Sequence, residues 1–256
     1  MASPIDFSGP YLKTERAKHH IENLDKIFRA YVASNKKMLT PKYNRKLRVP
    51  RALGRGFPKH TPTILGDALH NLRAALDHAY CELVRANGHT VHERSFFPIV
   101  NPGGKDSWQS RKASMEGHEK AGSGPGAHVI QILSDEVQPY PGGKGDDLTK
   151  LHQLDIADKH TILLPTRQHT ILEDVMFDNH IVIRGIQLIH EGEVRSSIVP
   201  EGRALNPQYN NKASFEICFG DGQPFEGEPV LPILKLLLVR VNETLRLLEQ
   251  RAKVTH

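Results

Sequence analysis

Between residues 64 and 84, apolar side chains recur at helical spacing, and that pattern limits the fold more than any other stretch of the chain. At about 100° per residue, Leu65, Ala68, Leu69, Leu72, Ala75, Leu76, Ala79 and Leu83 fall on one broad face. A face that wide must be covered by other elements, which implies a packed, mainly helical domain. Thr61 reads as the N-cap, Pro62 as the first helical residue, and Asn87-Gly88 as the stop.

Other segments follow the same logic. Ile21, Leu24, Phe28 and Tyr31 predict a long helix over about 10–38. Residues 43–57 read as short extended pieces between prolines. Asn101-Pro102-Gly103-Gly104 and Gly122-Ser123-Gly124-Pro125-Gly126 are breakers, with short helices expected at Trp108–Glu119 and His128–Ser134. Asp146 or Asp147 caps a helix over about 147–160. Strands are expected at Ile181–Ile189 and Ala213–Phe219, the second with Phe215, Ile217 and Phe219 alternating against Ser214, Glu216 and Cys218. A final helix over about 231–251 carries a seam of Leu234, Leu238, Val241, Leu245 and Leu248, which suits packing on the N-terminal helix. The expectation is α+β: a helical bundle with a small antiparallel β-sheet, at about 161–220, inserted before the C-terminal helix. A chain of 256 residues is near the upper size for one core, so a single domain over 1–256 is expected.

Composition narrows the function classes. The two cysteines, Cys81 and Cys218, make no Cys-x-x-Cys motif and read as buried, reduced thiols. The N-terminal residues show no signal peptide, and the most apolar run, 230–241, is interrupted by Pro232, Lys235 and Arg240. It falls short of the roughly 20 residues a membrane span needs. A cytoplasmic protein without a membrane partner is expected. The net charge of +5 permits an anionic partner such as RNA. Lys36, Lys37, Lys42, Arg45, Lys46, Arg48, Arg51, Arg55 and Lys59 cluster in one segment, either a charged edge or a phosphate-facing patch.

Opposite the apolar face of the 62–87 helix stand Asp67, His70, Asn71, Arg73, Asp77 and His78. Solvent faces usually carry Lys and Glu, and the His, Asn and Asp found here are poorer helix formers. That side therefore meets something specific. The 147–160 helix carries a matching stripe, His152, Asp155 and Lys159, flanked by Leu148, Leu151, Leu154 and Ile156. Polar groups among apolar ones must be paired. The two stripes are expected to face each other, with Arg73 bonded to Asp155 or Asp158.

Arg73-Ala74-Ala75-Leu76-Asp77-His78 resembles the Arg-x4-6-His motif of the HEPN superfamily. The resemblance implies a helical bundle, metal-independent RNA cleavage without a cofactor, toxin or phage-defence roles, and a composite site in a homodimer. It implies His78 and Arg73 as catalytic residues, supported by His70, Asn71 and Asp77. A histidine near neutral pKa can move the ribose 2′-hydroxyl proton, and a fixed arginine can stabilise charge on the phosphate. Gly66-Asp67-Ala68-Leu69-His70-Asn71-Leu72-Arg73 and Ala75-Leu76-Asp77-His78, with Leu151-His152-x-Leu154-Asp155-x-x-Asp158-Lys159-His160, are also similar to a bacterial and phage family with no settled activity.

Two other readings stand beside ribonuclease chemistry. Asp67, His70, Arg73, His152, Asp155, Asp158 and Lys159 could form a buried network that fixes helix packing in a non-enzymatic, partner-binding accessory protein. Alternatively, Asp67-x-x-His70 and His152-x-x-Asp155 could present metal ligands from facing helices.

Overall fold

The computed structural model describes residues 5–39, 42–44, 49–51, 58–102, 104, 106–160, 166–173, 175–177, 181–183, 186–191, 193–194 and 212–253. The protein is mainly helical. In chain order the elements are α1 (Ser8–Leu39), β1 (Lys42–Asn44), β2 (Val49–Arg51), α2 (Thr61–Ala86), α3 (Trp108–Lys120), α4 (Ala127–Ile132), α5 (Asp146–His160), β3 (Thr166–Glu173), β4 (Val175–Phe177), β5 (Ile181–Ile183), β6 (Ile186–Glu191), β7 (Glu193–Val194), β8 (Lys212–Phe219) and α6 (Val230–Lys253). They divide into two compact units. One comprises Met1–Glu22, Thr63–Leu164 and Pro232–His256, and the other Asn23–Pro62 and Pro165–Leu231.

The first unit is built around α2. All eight residues of its apolar face are no more than 2% exposed, so the helical periodicity reports the core directly. Thr61 is already helical rather than a cap, and its buried hydroxyl makes no hydrogen bond. The helix ends as expected. Gly88 takes φ +75°, a left-handed conformation glycine adopts without strain, and the Gly88 and His89 amides bond back to Arg85 and Val84. In α6 the buried stripe is Leu234, Leu237, Val241, Leu245 and Leu248, with Leu237 where Leu238 was expected. Thr244 is buried too, and it lies about 20° from Leu237 around the axis. The buried side is therefore wider toward Leu237. Tyr11 of α1 donates to Glu249 of α6 at 2.8 Å.

Between α2 and α5 the chain makes a buried extended segment, Phe97 to Val100, whose Val100 amide bonds Pro139. Ser107 then caps α3, its hydroxyl accepting the Ser110 amide at 3.1 Å. After α3 the chain turns at Gly124, held by a clasp around Glu119. The Glu119 carboxylate accepts Asn87 Nδ2 at 3.0 Å and the Gly126 amide at 2.7 Å. α4 widens into a π-helical turn, Leu133–Val137, closed by Gln138 at φ +52°.

In the second unit a four-stranded antiparallel sheet runs β7-β6-β3-β8, and β4 pairs with β5, as β1 does with β2. The segment 181–189, expected as one strand, is divided. Ile181–Ile183 pairs with β4, whereas Ile186–Glu191 pairs with β3. Strict alternation in β8 also breaks at its end, where Ile217, Cys218 and Phe219 are all buried. The segment after β8 folds back, Cys218 bridging to Pro229 and Phe225 tilting against Phe219 at 5.9 Å.

Candidate functional site

Arg73 and Asp77 stand one turn apart on α2, where i and i+4 side chains meet. Nη1 of Arg73 pairs with Asp77 Oδ1. Its Nε donates to Nδ1 of His152 on α5 at 3.2 Å, and its Nη2 donates to the Phe97 carbonyl at 3.1 Å. Asp77 Oδ1 in turn accepts the Phe97 amide at 2.8 Å. The pair thus clips both polar groups of one backbone residue. Arg73 is only 5% exposed. The expected pairing of Arg73 with Asp155 or Asp158 is not formed, because Asp77 on its own helix is nearer and His152 meets its Nε first.

The Arg73 bond fixes the state of His152. A nitrogen that accepts carries no proton, so the ring is neutral with its proton on Nε2. Burial pushes the His152 pKa down to about 4, and the Arg73 charge adds to this, with Arg111 and Lys159 contributing against the opposing pull of Asp155.

Asp155 organises a second cluster. It is 3% exposed and accepts Lys159 Nζ at 2.7 Å, while His70 Nδ1 lies 3.2 Å from its other oxygen. The His70 side chain is 50% exposed. Nearby, Gly66 permits the close approach of α2 and α5, since a Cβ there would fall 2.3 Å from Asp158 Oδ2. Burial raises the Asp158 pKa, and the charges of Asp155 and Asp67 raise it further, against His70 and Lys159.

The residues singled out by sequence therefore separate. Arg73, Asp77 and His152 form one cluster, and His70, Asp155 and Lys159 another. Asp158 lies against Gly66. Asp67 is exposed, and Asn71 donates to the Asp67 carbonyl within its own helix at 2.8 Å. His78 is exposed and shares neither cluster. No chain likeness adds to this picture: no family model, curated protein or solved structure matches.

Two contributors were not singled out from sequence. The Phe97 backbone could have been suspected from the apolar run Phe96-Phe97-Pro98-Ile99-Val100, and Gly66 from its place inside a helix. Cys81 is half-buried rather than buried, its thiol bonded to the Ser95 carbonyl, and both cysteines are free. Among the described residues no three His, Cys, Asp or Glu side chains gather as a metal ion would require, and no helix is long and apolar enough to cross a membrane. Of the basic cluster at 36–59, Lys59 is exposed, and the other side chains lie outside the described residues.

Chemically, Arg73 is committed: its Nε, Nη1 and Nη2 each have an acceptor within the protein. The second cluster is open, with a half-exposed imidazole against a buried carboxylate.

Proposed function

We propose that this protein works by binding a partner rather than by catalysis, and that the polar faces of α2 and α5 form the frame holding its surface in place. The observation that carries this reading is the environment of Arg73. A phosphate could reach the guanidinium only by displacing Asp77, His152 or the Phe97 carbonyl. Satisfied buried networks of this kind specify how elements pack. The test is RNA cleavage, with chelator present, by wild type, Arg73→Ala and His78→Ala proteins, each followed by circular dichroism. The expected result is no cleavage by any of them, with stability lost only in Arg73→Ala. Cleavage by wild type that disappears in a fully stable His78→Ala protein would overturn the proposal.

A second reading, metal-independent RNA cleavage of toxin or phage-defence type, is favoured by one observation. His70 is half exposed and oriented by the buried carboxylate of Asp155 at 3.2 Å, as a general base needs. In this reading His70 moves the proton, Asp155 holds the ring, and Arg73 is a positioning residue. His78 acts from a second copy in a homodimer, with Asn71 and Asp77 supporting. His70→Ala would then abolish cleavage without lowering stability, whereas cleavage unchanged by that substitution would refute the assignment.

A further inference from the structure

One cavity is lined by no residue of α2 or α5. It encloses about 290 Å³ and is bounded by His92, Glu93, Arg94, Ser95, His118 and Ser123. Two chain segments make its walls, and hydrogen bonds strap them together. The Thr90 amide donates to the Gly122 carbonyl at 3.3 Å, and His89 Nδ1 lies 2.9 Å from the Gly124 carbonyl. The first wall is held by a turn: the Ser95 amide donates to the His92 carbonyl at 2.9 Å, and the Ser95 hydroxyl accepts the His92 amide at 3.0 Å. The Cys81 thiol of α2 anchors the same turn through the Ser95 carbonyl, at 3.2 Å. The second wall is the end of α3, where the His118 carbonyl accepts the Ser123 amide at 2.9 Å and its hydroxyl at 3.2 Å. The side chains on these walls are uncommitted. Among the described residues, no hydrogen bond or ion pair engages the side chains of His92, Glu93, Arg94 or His118, all of them exposed. The Ser95 hydroxyl accepts but gives its own proton to no described group.

We infer that this cavity binds a small phosphate monoester that carries hydroxyl groups, a sugar phosphate in chemical class. This goes beyond the partner-binding reading, since the ligand is a small molecule and none of the six residues belongs to the α2–α5 frame. The free donors are the Arg94 guanidinium, the Ser95 hydroxyl and an N–H on each imidazole. Donors of this kind suit a phosphate, which a guanidinium grips through two parallel charge-assisted bonds. Glu93 is the one carboxylate present. It opposes a bare anion and accepts from hydroxyls, so it selects the ester over inorganic phosphate. No apolar residue lines the cavity, unlike the mostly apolar pockets that hold aromatic or aliphatic ligands. Its volume lies near the lower end of the range of about 300–1,000 Å³ usual for ligand pockets.

Isothermal titration calorimetry of the full chain with ribose 5-phosphate, ribose and inorganic phosphate separates the parts of the site. The expected result is saturable binding of ribose 5-phosphate, at least about tenfold tighter than inorganic phosphate, and no saturable binding of ribose. Arg94→Gln should weaken ribose 5-phosphate at least about tenfold, through loss of a charge-assisted contact. His118→Gln, on the other wall, should weaken it about threefold or more. Both positions are exposed, so both variants keep the fold. Glu93→Gln should narrow the ratio between ribose 5-phosphate and inorganic phosphate, because the neutral amide no longer opposes the bare anion. No saturable binding of ribose 5-phosphate at millimolar concentration would overturn the inference. So would binding that either Arg94→Gln or His118→Gln leaves unchanged, since the ligand would then lie outside the cavity. Ribose or inorganic phosphate bound as tightly as the ester, or a ratio unchanged in Glu93→Gln, would overturn the assignment of a hydroxylated phosphate.

Discussion

Replacing Arg73 by alanine tests the frame most directly. The substitution removes the bonds to Asp77, His152 and the Phe97 carbonyl. Hydrogen bonds to charged groups contribute about 1.5–3 kcal/mol each, and a buried acceptor left unmade costs about 1–3 kcal/mol. These terms do not add, because Asp77 is 33% exposed and still accepts the Phe97 amide, so water and one protein donor keep it solvated. The loss should come to about 3 kcal/mol, the lower end of what breaking a buried ion pair costs. For a chain of this size that corresponds to a melting temperature lower by about 6–12 °C. Thermal unfolding followed by circular dichroism, with urea titration alongside, measures it. His78→Ala, at an exposed position, should stay within about 0.5 kcal/mol of wild type. A melting temperature unchanged in Arg73→Ala would refute the reasoning, since it would mean that the buried guanidinium holds nothing.

Other consequences follow from the same geometry. Gly66→Ala gains helix propensity of about 1 kcal/mol but drives a methyl group into the Asp158 carboxylate. Urea midpoints should therefore show it stabilising in an Asp158→Ala background and stabilising less, or not at all, in wild type; equal effects would refute the contact. The Asp158 pKa is raised in the folded protein, so folding holds its proton more tightly and the residue lowers stability as pH climbs above 3.8. Asp158→Asn should accordingly exceed wild type in stability at neutral pH and lose that advantage in acid, as urea titrations at several pH values would reveal. His152 has the opposite sign. Its pKa falls from 6.5 to about 4 on folding, so its contribution is complete above 6.5 and is lost as pH drops toward about 4. An NMR titration of the ring that gave a midpoint near 6.5 would contradict the buried, neutral state. Gly124→Ala would place a Cβ 2.6 Å from the Glu119 Cα and amide nitrogen. Backbone cannot swing aside as a side chain can, so a loss of about 1–3 kcal/mol is expected, and a neutral melting temperature would show that the turn relaxes freely.

What sequence made legible was the periodic part. The core face of α2 and the helices at both ends of the chain follow from apolar spacing, because burial of a helix stripe is decided locally by the 3.6-residue turn. The polar faces of α2 and α5 were also legible as groups that must be paired. Their pairing was not, since it depends on distances between elements that no spacing encodes. The motif resemblance implies a supporting catalytic role for Asp77, and spacing alone does not reveal that its carboxylate is taken up by Arg73 and the Phe97 amide. Phe97 contributes only backbone, and backbone partners leave no mark of residue type. The division of 181–189 between two pairings is only faintly marked: Ile181, Val182 and Ile183 suit a strand as well as Ile186, Leu188 and Ile189 do, and Arg184-Gly185 between them is the one sign of a break.

The resemblance to the Arg-x4-His motif can be weighed by helix geometry alone. Five residues along an α-helix advance the direction of the side chain by about 500°, which leaves Arg73 and His78 about 140° apart around α2. The burial pattern agrees with that separation: Arg73 is enclosed by α5 and the Phe97 segment, and His78 lies in solvent. On a helix about 10–12 Å across with its side chains, two groups so placed do not meet on one phosphate within a single copy of the chain. Phosphodiester chemistry built on this motif would therefore need the His78 of one copy to approach a second copy. Arg73, committed to three partners, would still take part only through the groups it holds. His70 has no such constraint, because its partner carboxylate is buried behind it while half of its ring is open. The residue with the strongest claim to reactivity on α2 is thus set by what stands behind it on α5, and the same partnership that encloses Arg73 leaves His70 exposed.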